Sequence, residues 1–503
     1  MKKQKTTSKN KQAKRSGRAV AAGGAQRAGS DSARVKRSAQ RAARSGSHAG
    51  QGAQRAVCGD HADRAAQVGN AAQAARSDRG SACDLCAVFG RCGGCSLLDV
   101  PYKRQLADKQ RATEELFAGL AEVHALRPIL GMDDPFRYRN KVISPYAPGR
   151  ALAGAARGGK RRDNRGGKRD AASGASAGSA PDNAPRREVL TGMYAKGTHK
   201  LVPTDACMLE NETAKRVTLA VRDLMRKWGI APYDEDAGAG FMRHAVVRVG
   251  HTSGEVLVTL VTNADEFPSS KSFCRELVRR VPAVTTVVQN VNLRQTNVIL
   301  GEKERTLYGP GFILDTLCGL SFRISSHSFY QVNVTQTEVL YNAAIDLAQL
   351  SGTEGVIDAY CGTGTIGLVA AARGAACVTG VDNVPSAIRD AQQNARHNRI
   401  ENARFVTADA TEFMRGAARA GERVDVLLMD PPRAGSTEAF LDAAASMAPE
   451  RIVYISCNPK TQARDAAYLR ERGYRIDAVQ PVDMFPHTDH VECICRFVRE
   501  QER

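Results

Sequence analysis

The stretch Val356-Ile-Asp358-Ala-Tyr360-Cys361-Gly362-Thr-Gly364-Thr-Ile-Gly367 restricts the fold more than any other part of the chain. A short apolar run breaks into a glycine-rich turn and leads straight into a helical pattern, which is the order strand, tight turn, helix. Ala376 to Asp382 reads as a second strand ending in a carboxylate. Pro385 then sits in the first turn of a helix whose apolar stripe includes Ala387, Ile388, Ala391 and Ala395. Val424 to Met429 is a buried strand stopped by Asp430-Pro-Pro432-Arg433, and Arg451 to Ser456 is another, stopped by Cys457-Asn458-Pro459. Ala478 to Val482 and His490 to Phe497 are the last two strands. Residues 321–503 therefore alternate strand and helix, and predict an α/β, Rossmann-like, doubly wound sheet with a hairpin-like pair at its end.

Open α/β sheets bind ligands outside the carboxyl ends of their strands. Gly362-x-Gly364-x-x-Gly367 would set backbone amides near a nucleoside ligand, with Asp382 at the ribose hydroxyls. The structural alternative is a glycine turn that only packs a helix. NAD and S-adenosylmethionine both fit the pattern. Asp358 tilts the choice to S-adenosylmethionine, because a carboxylate there repels a pyrophosphate but suits a sulfonium or an amino group.

Cys457 also stands at a strand end, where the bland reading is a buried core thiol. Enzymes that methylate the adenine amino group carry an aromatic after a similar pair of prolines, where this chain has Arg433. Cytosine-carbon methylation of RNA places a second Cys near the Asp-Pro-Pro motif, and none is here. A lone thiol with a carboxylate fits uracil. Carbon 5 of uracil is a poor nucleophile until a thiolate adds to carbon 6. The resulting enolate attacks a methyl donor, a base removes the carbon-5 proton, and the thiol leaves. The base is sought in His487-Thr-Asp489-His490-Val-Glu492-Cys493-Ile-Cys495-Arg-Phe497. Strand periodicity makes Cys493 and Cys495 core residues and leaves Glu492 as a carboxylate on a mostly apolar strand, with His490 and Asp489 next in line. Its alternative is a surface Glu on a terminal strand.

Upstream, Cys83-Asp-Leu-Cys86-Ala-Val-Phe-Gly-Arg-Cys92-Gly-Gly-Cys95 packs four thiols into a tight loop. All-sulfur sites favour zinc or an iron–sulfur cluster. Cys86, Cys92 and Cys95 supply three ligands, and Cys207 or Cys83 a fourth. Asp99 to Leu120 and Asn211 to Trp228 read as helices, and His244 to Val249, Glu255 to Thr262 and Thr286 to Val291 as strands. Phe136-Arg-Tyr-Arg-Asn-Lys-Val142 interleaves cations with aromatics, as an RNA-stacking segment or one face of an edge strand. Residues 83–320 are thus predicted to be a strand-rich α+β central domain. Ser326 or Ser328 is the expected N-cap of a helix reaching Leu350.

The charge of the chain, +19, is concentrated. Residues 1–80 hold 18 Lys and Arg against four Asp, and residues 150–187 hold ten against three, so the remainder is near −2. Residues 1–80 contain no Phe, Tyr or Trp. That composition predicts a disordered basic tail and a disordered basic insert, with nucleic acid the first partner to consider. A solubilising tail and an organellar transit peptide are the other readings. No run of the length and apolarity of a membrane span occurs, and the N-terminus has no apolar signal core. Thirteen Cys then point to reduced thiols or metal ligands, and to a cytoplasmic protein.

Taken together, Cys86-x5-Cys92-Gly-Gly-Cys95, Ser328-Phe-Tyr-Gln331-Val-Asn333, Asp358-Ala-Tyr360-Cys-Gly362-Thr-Gly364, Asp430-Pro-Pro-Arg433, Ser456-Cys457-Asn458-Pro459 and His490-Val-Glu492 resemble the RNA uracil-5-methyltransferase family. The likeness is to its iron–sulfur type, which acts on 23S ribosomal RNA, and it covers about residues 86–149 and 188–499. The resemblance implies that Gln331, Tyr360, Asp382 and Asp430 bind S-adenosylmethionine, that Cys457 is the nucleophile, and that Glu492 accepts the proton. It also implies that Cys86, Cys92, Cys95 and Cys207 hold a 4Fe-4S cluster, and that the enzyme is a monomer acting on 23S ribosomal RNA, with the transfer-RNA T loop as the other target. Many members begin with a small β-barrel RNA-binding domain, which residues 1–80 cannot form.

Overall fold

The computed structural model describes residues 85–152 and 187–500. The basic tail 1–80, Cys83 and all but the ends of the insert 150–187 lie outside the described residues. What is described falls within one compact unit and is built on two seven-stranded sheets.

The chain opens with the cysteine loop and helix α1 (Tyr102–Phe117), which starts behind Pro101, a residue suited to a helix entry. The expectation of Asp99 to Leu120 is thus trimmed at both ends. Residues 102–130, expected with the central domain, pack on the other sheet. Phe117, Leu120 and Leu126 join the core of Tyr474, Ile476 and Val479.

The first sheet has the order β3-β2-β1-β4-β5-β6-β7. Its strands are β1 (Lys141–Ala151), β2 (Arg187–Tyr194), β3 (Leu201–Pro203), β4 (Met242–Val249), β5 (Val256–Thr262), β6 (Val284–Val291) and β7 (Lys303–Tyr308). β1 and β2 pair antiparallel out to Ala151 and Arg187, so the insert joins two neighbours in the sheet. β4 and β5 are buried along their whole length, which explains the unbroken apolar run of β5. Helices α2 (Glu212–Trp228) and α3 (Ser270–Arg280) cover this sheet. Asn211 caps α2 by accepting from the amides of Thr213 and Ala214, and Gly229 ends it. Val217, Val221 and Leu224 are fully buried on its inner face, each contributing about 1.5–3 kcal/mol of apolar burial.

A hairpin of β8 (Ile313–Leu317) and β9 (Leu320–Ile324) leads to α4 (Val334–Ala348). The N-cap of α4 is Asn333, whose side chain accepts from the Gln336 amide. Ser326 and Ser328 therefore do not cap it. Ser328 Oγ donates to Asp390 instead, and residues 325–333 run as an irregular segment.

The second sheet has the order β12-β11-β10-β13-β14-β16-β15. β10 (Gly355–Ala359), β11 (Cys377–Asp382), β12 (Ala403–Thr407), β13 (Val426–Met429) and β14 (Arg451–Ser456) are parallel, while β15 (Tyr474–Val482) and β16 (Glu492–Arg499) form the antiparallel pair at its edge. Helices α5 (Thr365–Ala372), α6 (Pro385–His397), α7 (Ala410–Arg419), α8 (Glu438–Ser446) and α9 (Pro459–Arg470) connect these strands, as the alternating pattern predicts. β12 went unpredicted because Arg404 and Thr407 interrupt so short an apolar segment. No helix among the described residues is long and apolar enough to cross a membrane.

Candidate active site

The strand order reverses between β10 and β13, and a crevice opens at the carboxyl ends on either side of such a switch. A cleft of about 1330 Å³ lies there. Gln331, Tyr360, Asp382, Asp430, Cys457 and Glu492 all line it, and Lys141 of β1 faces it from the first sheet. Six residues spread over 162 positions of sequence thus meet in one place.

At one end the chain leaves β10 through Tyr360, whose φ of 65° lies in the left-handed region. For a residue other than glycine that costs on the order of 1–3 kcal/mol, and it occurs most at functional turns. The Tyr360 ring rests 5.2 Å from that of Phe440. Gly364 is required twice over, by a φ of 80° and by the Phe405 ring 2.8 Å from where a Cβ would stand. Asp382 ties the turn down, accepting from the Gly362 amide at 3.0 Å and the Val384 amide at 2.8 Å. Asp358 departs from expectation. It is buried beneath the turn, accepts from the Gly367 amide at 2.8 Å, and does not line the cleft. Burial first, then the charges of Asp430 and Asp382, push its carboxyl up to about 8. Asp358 therefore braces the turn from beneath it. Asp430 does line the cleft, and burial raises its carboxyl to about 7. Gln331 is carried on the irregular segment, which Asn140 Nδ2 holds through the Gln331 carbonyl at 3.3 Å and Arg248 through the Ser328 carbonyl at 2.5 Å.

At the other end, sheet register brings the candidate nucleophile and base together. β14 and β16 pair with Ser456 opposite Cys493 and Tyr454 opposite Cys495. Cys457 follows the last residue of β14 and Glu492 is the first of β16, so the two lie next to the Ser456–Cys493 pair, both on the cleft wall, and the Glu492 charge acts on the thiol. Cys493 and Cys495 are fully buried, as read from the strand pattern. Glu492 is only 4 % exposed, which removes the surface reading. Burial and then the charge of Asp430 push its carboxyl up to about 8, opposed by Arg433. The Cys457 thiol is raised by burial, then by Glu492 and Asp430, and again Arg433 opposes. A cation entering the cleft beside these acids would favour their charged forms. Arg433 also lies 3.3 Å from Nδ1 of His490, while Asn458 Nδ2 donates to the Arg433 carbonyl at 3.1 Å.

The four predicted metal ligands sit apart from this cleft. Cys86, Cys92, Cys95 and Cys207 are free thiols lining a cavity of about 30 Å³, walled by Phe89, Leu98, Met193 and Leu209. Burial, then the neighbouring thiols Cys92, Cys207 and Cys86, push Cys95 up to about 12. Among the described residues no group of three or more His, Cys, Asp or Glu is drawn in to metal-ligating distance. The donor set nonetheless fits a thiolate-held metal, with four soft sulfurs facing one apolar space.

Sequence reasoning passed over Asp409, and read Lys141 only as one cation of the Phe136–Val142 segment; both are on the cleft wall. Asp409 follows the unpredicted β12, so its position at a strand end was hidden. The aromatics of Phe136-Arg-Tyr138 turn inward. Phe136 stacks on His487 at 4.7 Å, and buried Tyr138 donates its hydroxyl to the Pro486 carbonyl at 3.0 Å.

Fold and site define a class, the S-adenosylmethionine-dependent methyltransferases. A family model described as tRNA (uracil-5-)-methyltransferase matches residues 315–499. An RNA methyltransferase of Halalkalibacterium halodurans is 40 % identical over 411 residues, covering 81 % of this chain and 82 % of its own. One from Listeria monocytogenes is 40 % identical over 412 residues, with the same shares. The crystal structure of the Pyrococcus abyssi tRNA (uracil-54, C5)-methyltransferase in complex with S-adenosyl-L-homocysteine superposes with a TM-score of 0.61 at 25 % identity, covering 81 % of this chain and 86 % of that one. The chain belongs to the RNA uracil-5-methyltransferase family.

Proposed function

We propose that the protein methylates carbon 5 of a uridine in 23S ribosomal RNA through a covalent Cys457–uracil intermediate. The observation that carries this reading is the cross-strand meeting of Cys457 and buried Glu492 in the same cleft as Asp382 and the Gly362–Gly364 turn. Cys457 Sγ adds to carbon 6 of the uracil ring. The enolate so formed takes the methyl group of S-adenosylmethionine at carbon 5, and S-adenosylhomocysteine departs. Glu492 removes the carbon-5 proton, and the electrons of that C–H bond expel Cys457 as thiolate. Asp382 holds the ribose of the cofactor, with Tyr360, Gln331 and Asp430 completing its site. Arg433 is the cation beside the thiol and favours its ionised form.

Cys86, Cys92, Cys95 and Cys207 would hold a 4Fe-4S cluster, which serves as a structural tie, since no step above transfers an electron. The ribosomal target rests on this four-cysteine site, the mark of the ribosomal-RNA type that the motifs resemble. Methylation of the transfer-RNA T loop is the second reading, favoured by the likeness to a tRNA (uracil-54, C5)-methyltransferase. Mapping of 5-methyluridine in ribosomal and transfer RNA from cells with and without the protein decides between them. Loss of the mark from 23S RNA alone supports the proposal. Loss from transfer RNA alone overturns the ribosomal target, and no loss from either overturns the activity.

A further inference from the structure

The loop that delivers Glu492 to the cleft is held from outside by the cysteine loop. His487 is its anchor. The residue is 3 % exposed, and its backbone adopts a φ of 63°, a conformation that most residues avoid. Its carbonyl accepts from the amides of Ser96 and Leu97, at 3.0 and 3.1 Å. Its own amide donates to Gln105 Oε1 at 2.9 Å. Its ring Nδ1 lies 3.0 Å from Gln105 Nε2, a donor whose two hydrogens are shared among three acceptors, and ring Nε2 has no hydrogen-bond partner among the described residues. The same Gln105 amide nitrogen reaches the carbonyls of Leu97 and Val100, at 2.9 and 2.7 Å. Two residues on, Asp489 accepts from Ser96 Oγ at 2.9 Å. Lys109, one turn further along α1, donates to Asp483 at 2.7 Å and so closes the far side of the loop.

These bonds run from Ser96, the neighbour of Cys95, to the segment that ends in His490 and Glu492. Nothing in the uracil chemistry requires them. They are mostly buried, and together they set the loop in one place.

We propose that His487 and Gln105 are positioning residues, a clamp through which the four-cysteine loop places Glu492 for the proton-removal step. The inference rests on the proposed roles of Glu492 and of the cysteines. It assigns the cysteine loop a consequence for catalysis, a register for the base, without any electron transfer.

The test follows the methylated protein–RNA adduct by rapid quench, using the full chain, tritiated S-adenosylmethionine and transcribed 23S ribosomal RNA, or transcribed transfer RNA if only that is methylated. His487→Ala and Gln105→Ala should form the adduct within about twofold of the parent rate but resolve it about 10- to 100-fold more slowly, the effect of misplacing a catalytic group by about an ångström. His487→Asn should restore resolution, because asparagine tolerates positive φ and places its Oδ1 near the position of Nδ1. His487→Gly relieves the backbone but lacks the acceptor, so it should stay slow. A second readout is independent of turnover. Amide hydrogen exchange at residues 96–97 and 487–492 should rise together in His487→Ala and return to the parent level in His487→Asn, at equal bound iron. Normal adduct resolution in His487→Ala, or equal slowing of adduct formation and resolution, overturns the clamp. Failure of Glu492→Gln to trap an adduct in the same assay overturns the role of Glu492 itself. The two failures are therefore told apart.

Discussion

Replacing Glu492 with Gln should separate methyl transfer from proton removal under the proposed mechanism, and the accompanying stability change follows from burial. The carboxyl is pushed from 4.5 up to about 8, so ionising it in the folded protein costs about 5 kcal/mol more than in water. A group whose folded pKa is raised contributes stability that is complete below its unfolded value and lost as pH climbs through its folded value. The parent enzyme should therefore lose about 4 kcal/mol from this one residue between pH 5 and pH 9. Gln cannot ionise and loses none of it. In thermal unfolding, the variant should match or exceed the parent at pH 5, and the gap should widen toward pH 9. Catalysis should respond in the opposite direction. Methyl transfer precedes the need for the base, so one equivalent of labelled methyl should still reach RNA, while turnover drops by about 10²- to 10⁴-fold, the usual share of a general base. The stalled species should run as a slow band on a denaturing gel, carry the methyl label, and vanish in Cys457→Ala/Glu492→Gln. Normal turnover by Glu492→Gln would refute the assignment and bring forward His490 or Asp489. RNA binding without trapped label would mean that Glu492 acts at or before methyl transfer.

Four further outcomes are expected. Cys457→Ala should give neither adduct nor product while binding RNA and cofactor as the parent does, and any methylated RNA above background would exclude it as the nucleophile. Asp382→Ala should weaken S-adenosylmethionine by about 10- to 100-fold, because it removes a charged acceptor worth about 1.5–3 kcal/mol; calorimetric titration showing unchanged affinity would remove Asp382 from the site. Anaerobically purified protein should contain about four irons per chain with broad visible absorption, whereas one zinc and no iron would replace the cluster by a different metal. Deleting residues 1–80 should weaken RNA binding at moderate salt and flatten its salt dependence, since the +14 charge there would release counterions; an unchanged slope would show that the tail makes no phosphate contacts.

The candidate site residues could be read in the chain because each sits where an apolar run breaks. Cys457 precedes Asn458-Pro459, Asp430 precedes two prolines, Tyr360 precedes Gly362, and proline and glycine mark such breaks by their own backbone chemistry. Glu492 stood out for the opposite reason, as a charge within a run of core residues. Asp358 had the same credentials as Asp382 and was misread. Whether a carboxylate at a strand end faces the ligand or the helix beneath is set by the turn that folds over it, here by the Gly367 amide.

Local pattern therefore determined the doubly wound sheet, the buried strands and the list of groups able to do chemistry, because periodicity and chain breaks are properties of neighbours in sequence. Pairing across distance was decided only in three dimensions. The β14–β16 register, with Ser456 opposite Cys493, brings Cys457 and Glu492 to the same end of the sheet, and a one-residue slip would turn one of the two to the opposite face. The docking of residues 96–109 on 483–490 joins stretches nearly 400 positions apart through Gln105, His487, Lys109 and Asp483. A buried glutamine and a buried histidine carry no periodic signal, since what keeps them buried is the partner each finds on the far side of the chain.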